Sequence, residues 1–316
     1  MTIAQRLPQP DDTAGLLTLR DWLRYAVSLF RREKLFFGQG ATTAFDEAVW
    51  LLQHTLHLPR EGLETFLDAR LLPGEIREVK KVLERRALGH EPAAYITGEA
   101  WLGEFSFRVD KRVIVPRSYF LEIIPEQLSQ WVPGLEEVAR AADVCTGSGC
   151  LAILLAHACP NAHIDATDNS SAALEVAALN VADYHLGERI TLHHADVLVG
   201  VPDGTGYDVI VCNPPYEPES VLKTLPEEFR HEPQAALTSG ADGLDVIRKL
   251  IPQAAERLAP NGILLIETGG LREALEKEFP ALEIHWLPTL DETDCVALIQ
   301  ATSLKKRTPG KRPRKA

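Results

Sequence analysis

The chain has 316 residues, 45% of them hydrophobic and 25% charged, and a formal net charge of −12. That length and composition predict a soluble globular protein with room for two domains, and exclude a chain disordered as a whole. No charged-then-apolar leader opens it and no uncharged apolar run approaches the ~20 residues that cross a bilayer, so a cytoplasmic protein without a membrane span is expected.

From about residue 16 to residue 88 the apolar positions recur at helical spacing. Leu19, Trp22, Leu23, Ala26, Leu29 and Phe30 form one stripe, and Phe45, Ala48, Val49, Leu52 and Leu56 a second. Between them FFGQGATTAF supplies turn glycines, and Thr43 with Asp46 three residues later is an N-cap pair for the second helix. Pro59 is expected to end that helix, and residues 71–88 to form another before Gly89 and Pro92. Residues 1–93 therefore read as a small helical bundle. Residues 94–115 change character to short aromatic and β-branched runs, WLGEFSFRVDKRVIV, which predict a β-hairpin connector.

Across residues 116–303 strand-like and helix-like segments alternate. Strands are expected at 142–145, 162–167, 190–195, 207–212 and 263–267. Helices are expected up to residues 158 and 184, and over 244–258 and 271–279. The alternation predicts an α/β domain, a doubly wound, mostly parallel sheet covered by helices. Two closing runs, 283–287 and 295–300, are expected to make the last strand antiparallel.

Ligands of such sheets bind beyond the carboxyl ends of the strands. The first strand ends in DVCTGSGCLAI, where Gly147 and Gly149 allow a tight turn and the next helix presents free N–H groups; Cys145, Thr146 and Ser148 complete that loop. Gly147, Gly149 and Ala152 also satisfy the dinucleotide fingerprint, so a nicotinamide enzyme stays open. The second strand ends at Asp168, next to Asn169, about twenty residues beyond the glycines, where a carboxylate can accept both ribose hydroxyls of NAD or of S-adenosylmethionine. The third ends at Asp196 and Val197, and Asp196 can accept an adenine amino group or simply cap a helix. Asp143 either orients the glycine loop or meets the methionine amino group of the cofactor. A sulfonium tolerates these acids better than a pyrophosphate does.

The fourth strand delivers VIVCNPPYEPES, residues 209–220. Asn213 and the carbonyl of Pro214 can each accept one N–H of a planar amino group. Pro215 locks the turn, and Tyr216 can stack on the flat substrate. Two acceptors also stabilise the positive charge that develops on a nitrogen being methylated. These four residues alone fit adenine as well as glutamine, and a plain strand-ending turn is the bland alternative. The five cysteines, odd in number and mostly in apolar runs, read as reduced thiols. Cys145 and Cys150 lack zinc-site spacing, and His193 and His194 are neighbours on a strand, so no metal site is expected. No nucleophile elbow occurs, which argues against a serine hydrolase.

The chain ends in KKRTPGKRPRKA, with seven basic residues and no acid, so the body is more acidic than the total charge indicates. An acidic body disfavours general duplex-DNA binding. Residues 304–316 are expected to be a disordered basic tail, either an electrostatic arm for RNA or a ribonucleoprotein or a solvated end.

DVCTGSGC, TDNSSAAL and NPPY together resemble the class I S-adenosylmethionine-dependent methyltransferases that modify planar amino groups. FFGQGATTAFDEAVWLLQHTLHLP, VDKRVIVPRS, LPEEFRHEP and SGADGLD resemble the protein glutamine methyltransferases, over nearly the whole chain except the tail. PRS at residues 116–118 and CTGSGC are more similar to the branch acting on large-subunit ribosomal protein L-three than to the release-factor branch, while Tyr119 and Phe120 depart from its less aromatic connector. The resemblance implies methyl transfer to a glutamine amide nitrogen of that protein. It also implies N-terminal helices that help hold the substrate, and Asn213, Pro214 and Tyr216 holding the glutamine. A release-factor methyltransferase, a DNA adenine methyltransferase, a nicotinamide-binding reductase and a non-catalytic assembly factor are the alternatives.

Overall fold

The computed structural model describes residues 13–204 and 206–305, and the chain divides into two compact units. One holds residues up to Gly98 together with 226–231; the other holds 99–225 and the residues from Glu232 onward.

The helical unit contains α1 (Leu19–Arg32), α2 (Ala44–Thr55), α3 (Pro73–Gly89) and α4 (Ala93–Thr97). Thr18 caps α1 in a reciprocal box with Asp21, and Thr43 caps α2 by accepting the Asp46 N–H at 3.1 Å. Trp22, Phe30, Leu51, Leu52 and Leu83 are buried between these helices. The second stripe is displaced from the one expected: Ala48, Leu51 and Leu52 face inward, whereas Phe45, in the first turn of α2, is 54% exposed. The helix stops at Thr55, before Pro59, because His57 takes a left-handed conformation.

A buried ion cluster ties residues 226–231 into this unit. Arg86, only 1% exposed, donates to Glu47 at 2.5 Å, to Glu228 at 3.1 Å and to the carbonyl of Phe36 at 2.8 Å. Glu228 also accepts the Phe36 N–H. One guanidinium thus satisfies groups from three segments.

The second unit opens with the hairpin β1 (Glu99–Leu102) and β2 (Phe105–Arg108), followed by α5 (Phe120–Gln127). Then come β3 (Arg140–Val144), α6 (Cys150–Ala158), β4 (His163–Asp168), α7 (Ser171–Asp183), β5 (Ile190–His194) and β6 (Tyr207–Cys212). The remainder is α8 (Asp245–Arg257), β7 (Leu258–Glu267), α9 (Arg272–Glu278), β8 (His285–Leu287), β9 (Val296–Gln300) and α10 (Ala301–Lys305). The strand order is β5-β4-β3-β6-β7-β9-β8, parallel except that β9 runs antiparallel to both neighbours.

Side chains alternate between two covered faces. Ala142, Val144, Ile210, Cys212, Leu264 and Ile266 join a core with α8, α9 and α10, while Ala141, Val209, Val211, Ile263 and Leu265 are equally buried on the other face. Strand order reverses at β3, whose Val144 is registered with Thr167 of β4 and Cys212 of β6. The residues that follow, Cys145, Asp168 and Asn213, therefore emerge level at the switch point. Among the described residues no helix is long and apolar enough to cross a membrane. The expected tail begins inside α10, where the Lys305 ammonium donates to the Leu258 carbonyl; residues 306–316 lie outside the described residues.

Candidate functional site

At the switch point a cavity is lined by Cys145, Gly147, Asp168, Asn169, Asn213 and Pro215, with Arg112 and Ala236 on its outer walls. The glycine loop is built from beneath. Asp143, fully buried, accepts the Thr146 hydroxyl at 2.5 Å and the Ala152 N–H at 2.9 Å, so it anchors both the loop and the start of α6. Its other oxygen, Oδ1, has no partner among the described residues, and burial pushes its carboxyl up to about 7.

The two glycines do different work. A Cβ on Gly147 would meet nothing within 4 Å, because that side faces the cavity; a Cβ on Gly149 would press on Ala177 of α7 at 3.3 Å. Both have positive φ, and so does Cys145 at +62°, an uncommon conformation for a residue with a side chain. Ser148 is held through its carbonyl by Asn180 Nδ2 at 2.8 Å. Asn180 also exchanges hydrogen bonds with the backbone of Arg108, fastening β2 to the loop. Sequence reading missed Asn180, although its place on the apolar stripe Ala173, Val176, Ala177 was a signal.

Asp168 accepts the Gly147 N–H through Oδ2 at 2.9 Å and the Ser170 N–H through Oδ1 at 2.8 Å. Burial raises its carboxyl above the usual range, and these backbone donors favour its ionised form. Asn169 stands beside it and gives its carbonyl to His194. His193 pairs instead with Asp165 at 2.7 Å. Asp196 and Val197 are not among the lining residues. The Asp196 carboxylate is half exposed and pairs with Lys249 at 2.9 Å, and Val197 is buried with a φ of +62°.

Asn213 follows β6 and reaches the cavity wall. Its Nδ2 donates to the Arg117 carbonyl at 3.3 Å. A carbonyl can only accept, so the amide nitrogen is the atom it engages, which leaves Oδ1 as acceptor. Pro214 is buried and Pro215 lines the cavity. The Tyr216 ring lies against Gly269, where a Cβ would come within 2.7 Å of it, and burial raises its phenol above the usual range. Beyond it, Glu217 exchanges backbone bonds with Leu237 and Ser239.

Arg117 itself is fixed by a two-pronged pair with buried Glu232, at 2.6 and 2.7 Å, and Glu232 also accepts the Val115 N–H. Arg117 and Glu232 lie in stretches that carry the family resemblance, but nothing local shows that they pair across 115 positions, and Glu267 ends an ordinary strand.

Two family models match the chain. One, described as "Methyltransferase small domain", spans residues 126–243, and "PrmC N-terminal domain" spans residues 21–98. A protein of Neisseria gonorrhoeae named ribosomal protein uL3 glutamine methyltransferase is 53% identical over 87% of this chain and 91% of its own length. One of the same name from Bordetella pertussis is 48% identical over 94% of this chain and 99% of its own. Among solved structures, a T. thermophilus 16S rRNA N2 G1207 methyltransferase is 18% identical with a TM-score of 0.44, over 64% of this chain and 49% of that one.

Proposed function

The chain belongs to the ribosomal protein uL3 glutamine methyltransferases, and on that premise we propose that it moves a methyl group from S-adenosylmethionine to the side-chain amide nitrogen of a glutamine in uL3, the large-subunit protein L-three. The observation that carries this is the state of Asn213, whose Nδ2 donates to the Arg117 carbonyl and so leaves Oδ1 to accept.

The cavity suits S-adenosylmethionine. Open space above Gly147 admits a ligand against the loop backbone, and Asp168 is the carboxylate beside it. The one arginine among the lining residues, Arg112, is tied to Asp110 and Glu175, which disfavours a pyrophosphate and so a nicotinamide dinucleotide. Cys145, Gly147, Asp168 and Asn169 are the residues proposed to hold the cofactor, with Asp143, Thr146, Ser148 and Gly149 shaping the loop. Asp196 and Val197 are proposed as outer contacts that the cavity does not yet include. When bound, the cofactor supplies an electrophilic methyl group on a cationic sulfur.

The chain's own residues do the rest. Asn213 Oδ1 and the Pro214 carbonyl accept the two N–H groups of the amide, which fixes its plane and pushes electron density onto a weakly nucleophilic nitrogen. As positive charge grows on that nitrogen the two acceptors stabilise it, so no strong base is needed before transfer. Pro215 contributes no competing donor, and Tyr216 covers the amide plane.

Residues 1–93 are proposed to help hold the protein substrate, 94–115 to act as connector, and 116–303 to carry out transfer in the cytoplasm. The tail, 304–316, is proposed to contact ribosomal RNA. Methyl transfer from labelled S-adenosylmethionine, run side by side on uL3, a release factor and adenine-containing DNA, tests the function. Label in uL3 alone supports it; label in the release factor or in DNA, with none in uL3, overturns it. Removing residues 306–316 should weaken ribosomal RNA binding at low salt, and equal binding would dismiss that role.

A further inference from the structure

Glu232 is only 3% exposed and stands immediately before Pro233, Ala235 and Ala236, which line the cavity. Its carboxylate is spent on the strap that precedes α5. Oε1 accepts the Val115 N–H at 3.1 Å and an N–H of Arg117 Nη1 at 2.6 Å, and Oε2 accepts one from Arg117 Nη2 at 2.7 Å. Arg117 Nη1 also donates to the Val115 carbonyl at 3.1 Å, so residues 115–117 fold back on themselves around one carboxylate. Resting on the function proposed above, we propose that Glu232 is a positioning residue for methyl transfer: by pinning residues 115–117 it aims the Arg117 carbonyl at Asn213 Nδ2, and so keeps Oδ1 turned towards the substrate amide.

Every link in this chain has a fixed direction. The guanidinium and the Val115 N–H only donate, so the carboxylate receives all three bonds. Pro116, between the two anchored residues, has its φ set by its ring and leaves the Arg117 peptide little freedom. On the far side the Ser118 hydroxyl and the Tyr119 N–H donate to Glu267 Oε2 at 2.6 and 3.1 Å. The Arg117 carbonyl therefore lies between two anchors, one on each side of it in the chain.

A carbonyl that cannot move decides which end of the Asn213 amide it meets. Turning that amide over would set Oδ1 against the Arg117 carbonyl, acceptor facing acceptor. The distances say which contact depends on which. The Arg117–Glu232 bonds are short and charge-assisted, whereas the Asn213 bond, at 3.3 Å, is longer than the usual range of about 2.7–3.2 Å. The strap is thus held by Glu232 and orients Asn213, rather than being held by Asn213.

The test is a double-mutant cycle on kcat for transfer to uL3 by the full chain. Glu232→Gln has one acceptor oxygen where the carboxylate has two, so its NH2 must meet an Arg117 N–H or the Val115 N–H, donor against donor. It should lower kcat about tenfold, less than loss of the Asn213 acceptor itself. In an Asn213→Ala background the same change should lower kcat less than about twofold, because the amide it positions is gone. A carboxylate that only supports the fold would cost the same factor in both backgrounds. Arg117→Lys keeps a cation beside Glu232 but loses the two-pronged fork, and should repeat the pattern, which decides the matter if Glu232→Gln does not fold. Wild-type kcat in the single variant that folds, or an equal loss in both backgrounds, overturns this inference alone. No transfer to uL3 by the wild type overturns the function and this inference with it.

Discussion

Asn213 donates its side-chain N–H to the backbone carbonyl of Arg117, 96 positions earlier in the chain, at 3.3 Å. The strap before α5 thus fixes the polarity of the amide that ends β6. Asn213→Ala removes an acceptor aimed at developing charge, so kcat for transfer to uL3 should fall about 10²–10³-fold. Affinity for S-adenosylhomocysteine, measured by calorimetry, should stay within about threefold, since the glycine loop and Asp168 are untouched.

Tyr216 and Gly269 give a second prediction. A Cβ at Gly269 would sit 2.7 Å from the Tyr216 ring, and its φ of +52° adds strain, whereas a Cβ at Gly270 meets nothing within 4 Å. Gly269→Ala should raise KM for uL3 and lower kcat while melting only slightly lower, by a ΔΔG of about 1 kcal/mol. Gly270→Ala should resemble the wild type in the same steady-state assay.

Asp143 predicts a pH dependence of stability. Its carboxyl is raised from 3.8 to about 7 by complete burial, so the folded state binds a proton the unfolded state has released. The stability this contributes is full below about pH 4 and disappears as the pH rises through about 7, at about 1.4 kcal/mol per unit. Asp143→Asn keeps an acceptor for Thr146 and Ala152 but binds no proton. Denaturant unfolding at about pH 5, 6 and 7 should show a slope against pH smaller than the wild type's by one proton. Glu267, raised to about 7 in the same way, keeps its own share of that slope.

In the helical unit, Arg86→Leu strips the cation from two buried carboxylates, Glu47 and Glu228, which are 2% and 1% exposed. Leaving buried charge unpaired costs about 3–5 kcal/mol, measured as a lower midpoint of denaturant unfolding. A change below about 1 kcal/mol would mean the cluster is solvated.

The strand ends and the motifs on them were legible because their causes are local. Apolar runs such as VIVC, stopped by Asn213 and two prolines, read as strand and edge without knowledge of the rest of the chain. DVCTGSGC and Asp168 were legible for the same reason. What lay hidden depends on distance in sequence: Ser118 meets Glu267 across 149 positions, and Arg117 meets Glu232 across 115. Arg86 is one charge among many in PGEIREVKKVLERRALG, and nothing in that pattern marks it as the buried one. Phe45 misled in the opposite sense, since an apolar residue in the first turn of a helix fits the stripe without reaching the core. Asp196 shows the limit of position alone, because an acid at a strand end looks the same whether it meets a backbone amide, as Asp168 does, or a lysine.

Two acceptors at the end of β6 are proposed to hold the side-chain amide of a protein glutamine while its nitrogen takes the methyl group. Fragmentation mass spectrometry of uL3 after incubation with the purified chain and labelled S-adenosylmethionine tests it most directly. One labelled methyl group is expected on the side-chain amide of a single glutamine, absent when Asn213→Ala replaces the wild type. Label on a lysine, an arginine or the N-terminal amine, or full labelling by Asn213→Ala, would contradict it.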